Sequence, residues 1–205
     1  MDLIDNTILS AIFASNLTKT DAVQLVKKKN FLSEDYILSR IENLVKNGLV
    51  EQNKNSLTEL GRTSLRVVLA GGVFDIIHPG HIYTLNAAKA LGDTLVVVVA
   101  TDNTAEKMKK RTPLHDQTQR KNLVDSLSMV DLCIIGEEGD IFKTVEKVRP
   151  EIIALGYDQV HQEKFITDGC RKINLNVKVA RLQSPNPEIS SSKIEKKYGE
   201  SIHDL

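Results

Sequence analysis

The apolar run Val67-Val68-Leu69-Ala70 ends on Gly71-Gly72, and a helical pattern starts soon afterwards, near Gly80. A short, uninterrupted apolar run bounded by glycines reads as a buried strand. The chain must therefore pass from strand to helix within one tight turn. The same alternation continues to the end of the sequence. Candidate strands are 66–70, 94–100, 131–135, 151–155 and 176–181. Candidate helices are 80–91, 102–109, 116–127, 140–148, 161–173 and 190–197. Val96-Val97-Val98-Val99 is apolar on both faces, as a central parallel strand requires. The expected fold is thus α/β, a Rossmann-like parallel sheet with right-handed crossovers and helices on both faces. Ligands in such sheets bind outside the carboxyl ends of the strands.

The turn after the first strand reads Gly-Gly-Val-Phe-Asp-Ile-Ile-His-Pro-Gly-His over residues 71–81. A helix N-terminus presents unpaired N–H groups and a positive dipole end, which suits a phosphate. His78 and His81 stand where they can donate to that phosphate, and Gly80 lets the backbone approach closely. Three further stretches carry chemistry. Lys107-Met108-Lys109-Lys110-Arg111 is dense in cations within a neutral chain, and reads either as a phosphate-facing cluster or as a solvated loop. Gly156-Tyr157-Asp158-Gln159 follows an apolar strand; Asp158 there suits a ribose hydroxyl, a Mg²⁺ held by phosphates, or the cap of the next helix. Ser190-Ser191-Ser192-Lys193 precedes a helical pattern, as a second anion site or as ordinary capping serines.

These stretches resemble the cytidylyltransferase-like nucleotidyltransferases, whose first loop reads G-x-F-D-x-x-H-x-G-H. Gly72, Phe74, Asp75, His78, Gly80 and His81 match it. Val73 departs from the hydroxyl residue often found there, so any contact at that position must come from the backbone. The resemblance covers roughly residues 66–197, and the Gly-Tyr-Asp-Gln and Ser-Ser-Lys-Ile stretches look most like archaeal FAD synthases. It implies that Gly72, Val73, Phe74, Asp75, His78, Pro79, Gly80, His81, Gly156, Asp158, Ser191, Ser192 and Lys193 bind nucleotide, with His78, His81, Lys109 and Arg120 catalytic. Arg120 is expected on the triphosphate. Lysine at 193 keeps the charge of the arginine that some members have, but not its bidentate fork. The implied substrates are ATP and FMN, with Mg²⁺ or another divalent cation, and Asp158 as a metal ligand. Rival acceptors are glycerol phosphate or a similar phosphorylated alcohol with CTP, or a sugar phosphate with ATP. Aromatic residues are only 4% of the chain, which gives flavin stacking no compositional support.

Residues 1–64 follow a different pattern and are expected to form a separate domain from 65–205. Apolar spacing predicts a helix over residues 2–14, a second capped by Thr18 or Thr20, and a third starting at Ser33. Leu49–Gln52 and Ser56–Thr58 then read as a hairpin, so the whole resembles a winged helix. DNA binding is not expected. The segment carries eight basic and eight acidic side chains, and its third helix opens with Glu34-Asp35 where a groove-reading helix would meet phosphates. A DNA-binding regulator that senses a ligand is the non-enzyme alternative, and the intact histidine pair argues against it. An accessory or oligomerisation role, with a homodimer as one such assembly, is the expectation. Over the whole chain 27 basic residues balance 27 acidic ones, so no net field favours nucleic acid or an anionic membrane. Two cysteines form no secreted framework, and neither a signal peptide nor an apolar run of spanning length is visible, so a cytoplasmic location is expected.

Overall fold

The computed structural model describes residues 1–157, 159, 161–183, 191, 193, 194, 196 and 197. Asp158 and Ser192, both expected in the site, lie outside the described residues. Five parallel strands form one sheet: β1 (Val67–Gly72), β2 (Thr94–Val99), β3 (Leu132–Ile135), β4 (Ile152–Leu155) and β5 (Lys178–Arg181), in the order β3-β2-β1-β4-β5. All five lie where the apolar runs put them. The order reverses at β1, so the crevice between the carboxyl ends of β1 and β4 is the switch point where such sheets bind ligands.

Three helices precede the sheet: α1 (Leu3–Thr18), α2 (Ala22–Lys29) and α3 (Glu34–Lys46). A short α4 (Glu59–Thr63) joins them to β1, and α5 (Pro79–Lys89), α6 (Asp102–Lys109), α7 (Gln117–Asp125), α8 (Ile141–Val148) and α9 (Gln162–Lys172) provide the crossovers. Alternation along the strands sends successive side chains to opposite faces. Val68, Ala70, Leu95, Val97 and Cys133 pack with Leu85 and Ala88 of α5 and Val124 of α7. Val67, Leu69, Val96, Leu132 and Ile153 share the other face's core with Val145 and Val148 of α8 and Ile166 and Cys170 of α9.

That second core also contains Ile8, Leu9 and Ile12 of α1, with Ile37, Ile41 and Leu44 of α3. The N-terminal helices therefore lie against the sheet and close one continuous apolar cluster with it. Polar contacts seal the junction. Ser10 and Thr94 share a buried hydroxyl–hydroxyl bond of 2.6 Å, and Arg62 pairs with Glu151 at 2.9 Å. Thr94 and Glu151 lie at the amino ends of β2 and β4, away from the strand ends that carry the histidine turn.

Two local expectations for this region are corrected. Asp21, rather than Thr18 or Thr20, caps the second helix by accepting the Gln24 N–H at 2.8 Å; Thr18 is instead the last residue of α1. The expected hairpin strands are absent, and one antiparallel bridge, Val50–Leu57, is all that pairs. Thr58 decides this outcome. Its hydroxyl donates to the Gly48 carbonyl and accepts the Gly61 N–H, which starts α4 directly after the expected second strand and stops the pairing there.

If the cluster is one cooperative core, Ile12→Ala should cost about 2–5 kcal/mol. Denaturant unfolding followed by circular dichroism should remain a single transition at a lower midpoint. A biphasic curve would mean that the helices and the sheet unfold separately.

Candidate active site

The turn between β1 and α5 is built on an unusual backbone. Phe74 adopts φ 53°, the left-handed region that bulky residues rarely enter. Its ring folds back over Gly72, where a Cβ would lie 2.9 Å from a ring carbon, so a glycine is required there. The ring also meets His81 at a centroid distance of 5.2 Å, and His81 stacks on His78 at 3.9 Å. Pro79 opens the helix at its first position, where its missing N–H costs nothing.

His78 is the N-cap of α5, and its Nδ1 accepts the Gly80 N–H at 3.2 Å. Nδ1 is therefore the unprotonated nitrogen of the neutral ring, and Nε2–H is left as a donor. Burial lowers the pKa of His78, and the charge of Lys109 lowers it further. Burial, then His78, then Lys109 push His81 down to about 4. Both rings are thus neutral donors at pH 7. His78 and Pro79 line an open groove along α5 of about 850 Å³, together with Ile82, Tyr83 and Asn86.

The structure gathers several expected site residues at this turn. Lys109 is close enough to act on both histidines. Ser191 is 4% exposed and donates to the Ile76 carbonyl at 3.0 Å, which brings this serine onto the turn. Lys193 is exposed and helical. Gly156 follows β4 and donates its N–H to Gln159 Oε1 at 2.8 Å.

Other expected residues are placed elsewhere. Arg120 is 0% exposed, and its guanidinium donates to the Val73 carbonyl at 2.6 Å, the His115 carbonyl at 2.9 Å and Asp102 at 2.7 Å. It sits beneath the turn rather than facing the open groove. Asp75 is 1% exposed; its carboxylate accepts the Leu114 N–H at 2.7 Å and pairs with Arg111 at 2.8 Å. It holds the 111–115 loop against the turn and presents no oxygen to the groove. The basic stretch is thereby divided, with Arg111 on Asp75, Lys109 beside the histidines and Lys107 at a separate cavity.

That cavity encloses about 590 Å³ on the α8–α9 face, at the carboxyl ends of β1, β2 and β4. Gly71, Val98 and Leu155 form its floor, and Met108, Phe142 and Phe165 are in its walls. Sequence reasoning missed it. The only local signal was the first glycine of the pair, because the walls come from four separate segments.

Among the described residues no group of three or more His, Cys, Asp or Glu side chains could hold a metal ion. Asp102 and Asp75 are already held by arginines. No helix of the described residues is long and apolar enough to cross a membrane.

The cytidylyltransferase-like family model matches residues 69–197. An FAD synthase of Aciduliprofundum boonei is 48% identical over 134 residues, 65% of this chain and 80% of that protein. One from Picrophilus torridus is 50% identical over 125 residues, 61% of this chain and 89% of that protein. A crystal structure described as a lipopolysaccharide core biosynthesis protein from Thermoplasma volcanium is 45% identical, with a TM-score of 0.56, and covers 58% of this chain and 98% of that one.

Two predictions follow from the geometry. Because burial holds His81 near 4, its ring proton resonances should not titrate between pH 8 and 5.5 in NMR spectra. The sign for stability is the same: a depressed folded pKa means stability held above about 6.5, the unfolded value, and lost as pH falls toward 4. A titration midpoint near 6.5 would contradict this. Arg120→Ala strands two backbone carbonyls, so it should lower stability by at least about 2 kcal/mol, read as a fall in melting temperature. An arginine that served only to touch phosphate would leave melting unchanged.

Proposed function

The chain belongs to the cytidylyltransferase-like family, and on that premise we propose that it transfers AMP from ATP to FMN, giving FAD and pyrophosphate. The observation that carries the reading is the stacked, neutral histidine pair at the N-terminus of α5. The choice of flavin and adenine is supported by the FAD synthases that match at 48% and 50% identity over most of their own length.

The chemistry needs no covalent enzyme nucleophile. A phosphate oxygen of FMN, already ionised, attacks the α-phosphorus of ATP in line. A P–O bond forms to that oxygen, the bond from the α-phosphorus to the bridging oxygen breaks, and its electron pair leaves with pyrophosphate. Catalysis is then positioning and charge stabilisation. The ring N–H groups of His78 and His81 and the N–H groups of α5 donate to the α-phosphoryl oxygens, with the Phe74 ring against His81 fixing its plane. Lys109 and Lys193 offset the charge on the departing pyrophosphate, with Ser192 and the Ser191 backbone N–H as hydrogen-bond donors, the Ser191 hydroxyl being held by the Ile76 carbonyl. Arg120 acts as a positioning residue, since it holds the Val73 carbonyl at the start of the turn. A divalent cation would enter with ATP and would supply positive charge to its phosphate oxygens. Asp158 is the carboxylate assigned to ribose or to that ion.

The same reading assigns residues 65–205 to catalysis and residues 1–64 to an accessory or oligomerisation role, a homodimer being one such assembly, with a cytoplasmic location. Nucleic acid has no place in it.

The test is chromatography of a reaction containing FMN, Mg²⁺ and either ATP or CTP. An FAD peak that requires ATP is expected. Turnover of glycerol phosphate with CTP, and none of FMN with ATP, would overturn the assignment. His81→Ala should keep its melting temperature and lose at least ~100-fold in turnover, the usual scale for one transition-state donor. Wild-type turnover in that variant would remove the histidine pair from the mechanism.

A further inference from the structure

Residues 1–64 precede the part of the chain that the family model matches, 69–197. None of their side chains is among the site residues described above, yet they reach that site from behind. α5 and α7 pack on the same face of the sheet, through Leu85, Ala88 and Val124. α5 carries the histidine turn at its amino end, and α7 carries the Arg120 clamp on that turn. The last residues of these two helices, Lys89 and Asp125, belong to one charge cluster, and the N-terminal helices put side chains into it.

Lys28 of α2 pairs with Asp125 at 3.0 Å, although the two are 97 residues apart in the chain. Lys121, one turn back on α7, lies 3.6 Å from the same carboxylate oxygen. The other oxygen of Asp125 accepts the Cys133 N–H of β3 at 3.2 Å. Lys89 donates to Asp131 at 2.6 Å and to the Asp93 carbonyl at 2.5 Å. The Asp131 oxygen that takes Lys89 also accepts the Leu95 N–H of β2 at 2.6 Å. Asn6 of α1 donates to the Asp93 carboxylate at 3.5 Å. Lys29 is within reach of both pairs: partial desolvation lowers its pKa, and the charges of Asp131 and Asp125 act against that.

Four lysines, Lys28, Lys29, Lys89 and Lys121, thus share the two carboxylates Asp125 and Asp131. Cations from α2 compete with cations from α5 and α7 for the same oxygens. We propose that the N-terminal helices position the catalytic turn through this cluster, with Lys28 and Lys29 setting the carboxyl-terminal ends of α7 and α5. These helices have 9 and 11 residues, which makes each a rod of roughly 15 Å. A shift at Asp125 or Lys89 is carried along the rod to the part that holds Arg120 or His78. Lys28 and Lys29 are positioning residues, since they touch no reacting atom. Their effect falls on alignment rather than on stability. The Lys28 side chain is 54% exposed, and pairs of that kind contribute little to folding. Without the α2 lysines, Asp125 keeps Lys121 and Asp131 keeps Lys89, so no charge is stranded. The inference rests on the AMP-transfer reading only for its activity assay.

The test compares the full-length double variants Lys28→Glu/Lys29→Glu and Lys28→Arg/Lys29→Arg with wild type. The acidic pair draws Lys121 and Lys89 away from Asp125 and Asp131, whereas the arginines keep the charge. FAD formation gives kcat and KM. Hydrogen exchange followed by NMR reports on the Gly80 amide, which donates to His78 Nδ1. The acidic pair should lower kcat at least about threefold and hasten Gly80 exchange by a similar factor, the scale of coupling between distant sites. The KM for ATP should stay within about twofold of wild type, since only alignment is lost, and melting should be little changed. The arginine pair should match wild type. Unchanged kcat and unchanged Gly80 exchange in the acidic pair would overturn the proposal. So would a loss of kcat matched by a fall in melting temperature, because that marks general loosening. If wild type forms no FAD, the acceptor assignment fails and Gly80 exchange decides alone: faster exchange in the acidic pair sustains the proposal, and unchanged exchange ends it.

Discussion

A fully buried guanidinium holds the functional end of this molecule together. Arg120 reaches from α7 to the Val73 carbonyl, the His115 carbonyl and the Asp102 carboxylate, and so ties three separate segments at one point. A buried charge is tolerable only when it is paired and hydrogen-bonded, and here the partners are the backbone of the β1–α5 turn, the loop before α7 and the start of α6. Asp75 makes the complementary link from the turn to Arg111 and Leu114. The strained Phe74 backbone persists because these contacts fix it on both sides.

The consequence is a rigid mount for two neutral imidazoles. Catalysis by positioning needs groups that do not reorganise during the reaction. Stacking against Phe74, capping through Gly80 and burial together set the orientation of His78 and His81 and keep protons off them. Lys109 and the helix terminus bring positive potential to the same place instead. This division suits a chain with no net charge, because local placement replaces a general basic field.

The N-terminal helices serve the sheet from the other end. Ile8, Leu9 and Ile12 share a core with Val67, Leu69 and Val96, so the bundle completes the packing of one face. Its polar seams, Ser10 with Thr94 and Arg62 with Glu151, lie at the amino ends of the strands, leaving the carboxyl ends clear for substrates.

The sequence alone determined the α/β class, all five strands and the strand–turn–helix that carries His78 and His81. Those features rest on short-range causes: apolar periodicity, a glycine pair that ends a strand, and a proline that opens a helix. Even within that range the hairpin near residues 49–58 is shorter than expected, a single antiparallel bridge, because Thr58 caps a helix where the pairing would have continued. Only the tertiary structure decided the destinations of individual charges and the location of the cavity. Lys107, Lys109 and Arg111 are nearly adjacent in the chain yet go to three different places. Arg120 looks like a phosphate ligand in the sequence and is a buried clamp in the fold. Phe142 and Phe165 come from different helices and meet only across the packed α8–α9 face. Each of these outcomes depends on contacts between segments far apart in the chain, which no local pattern encodes.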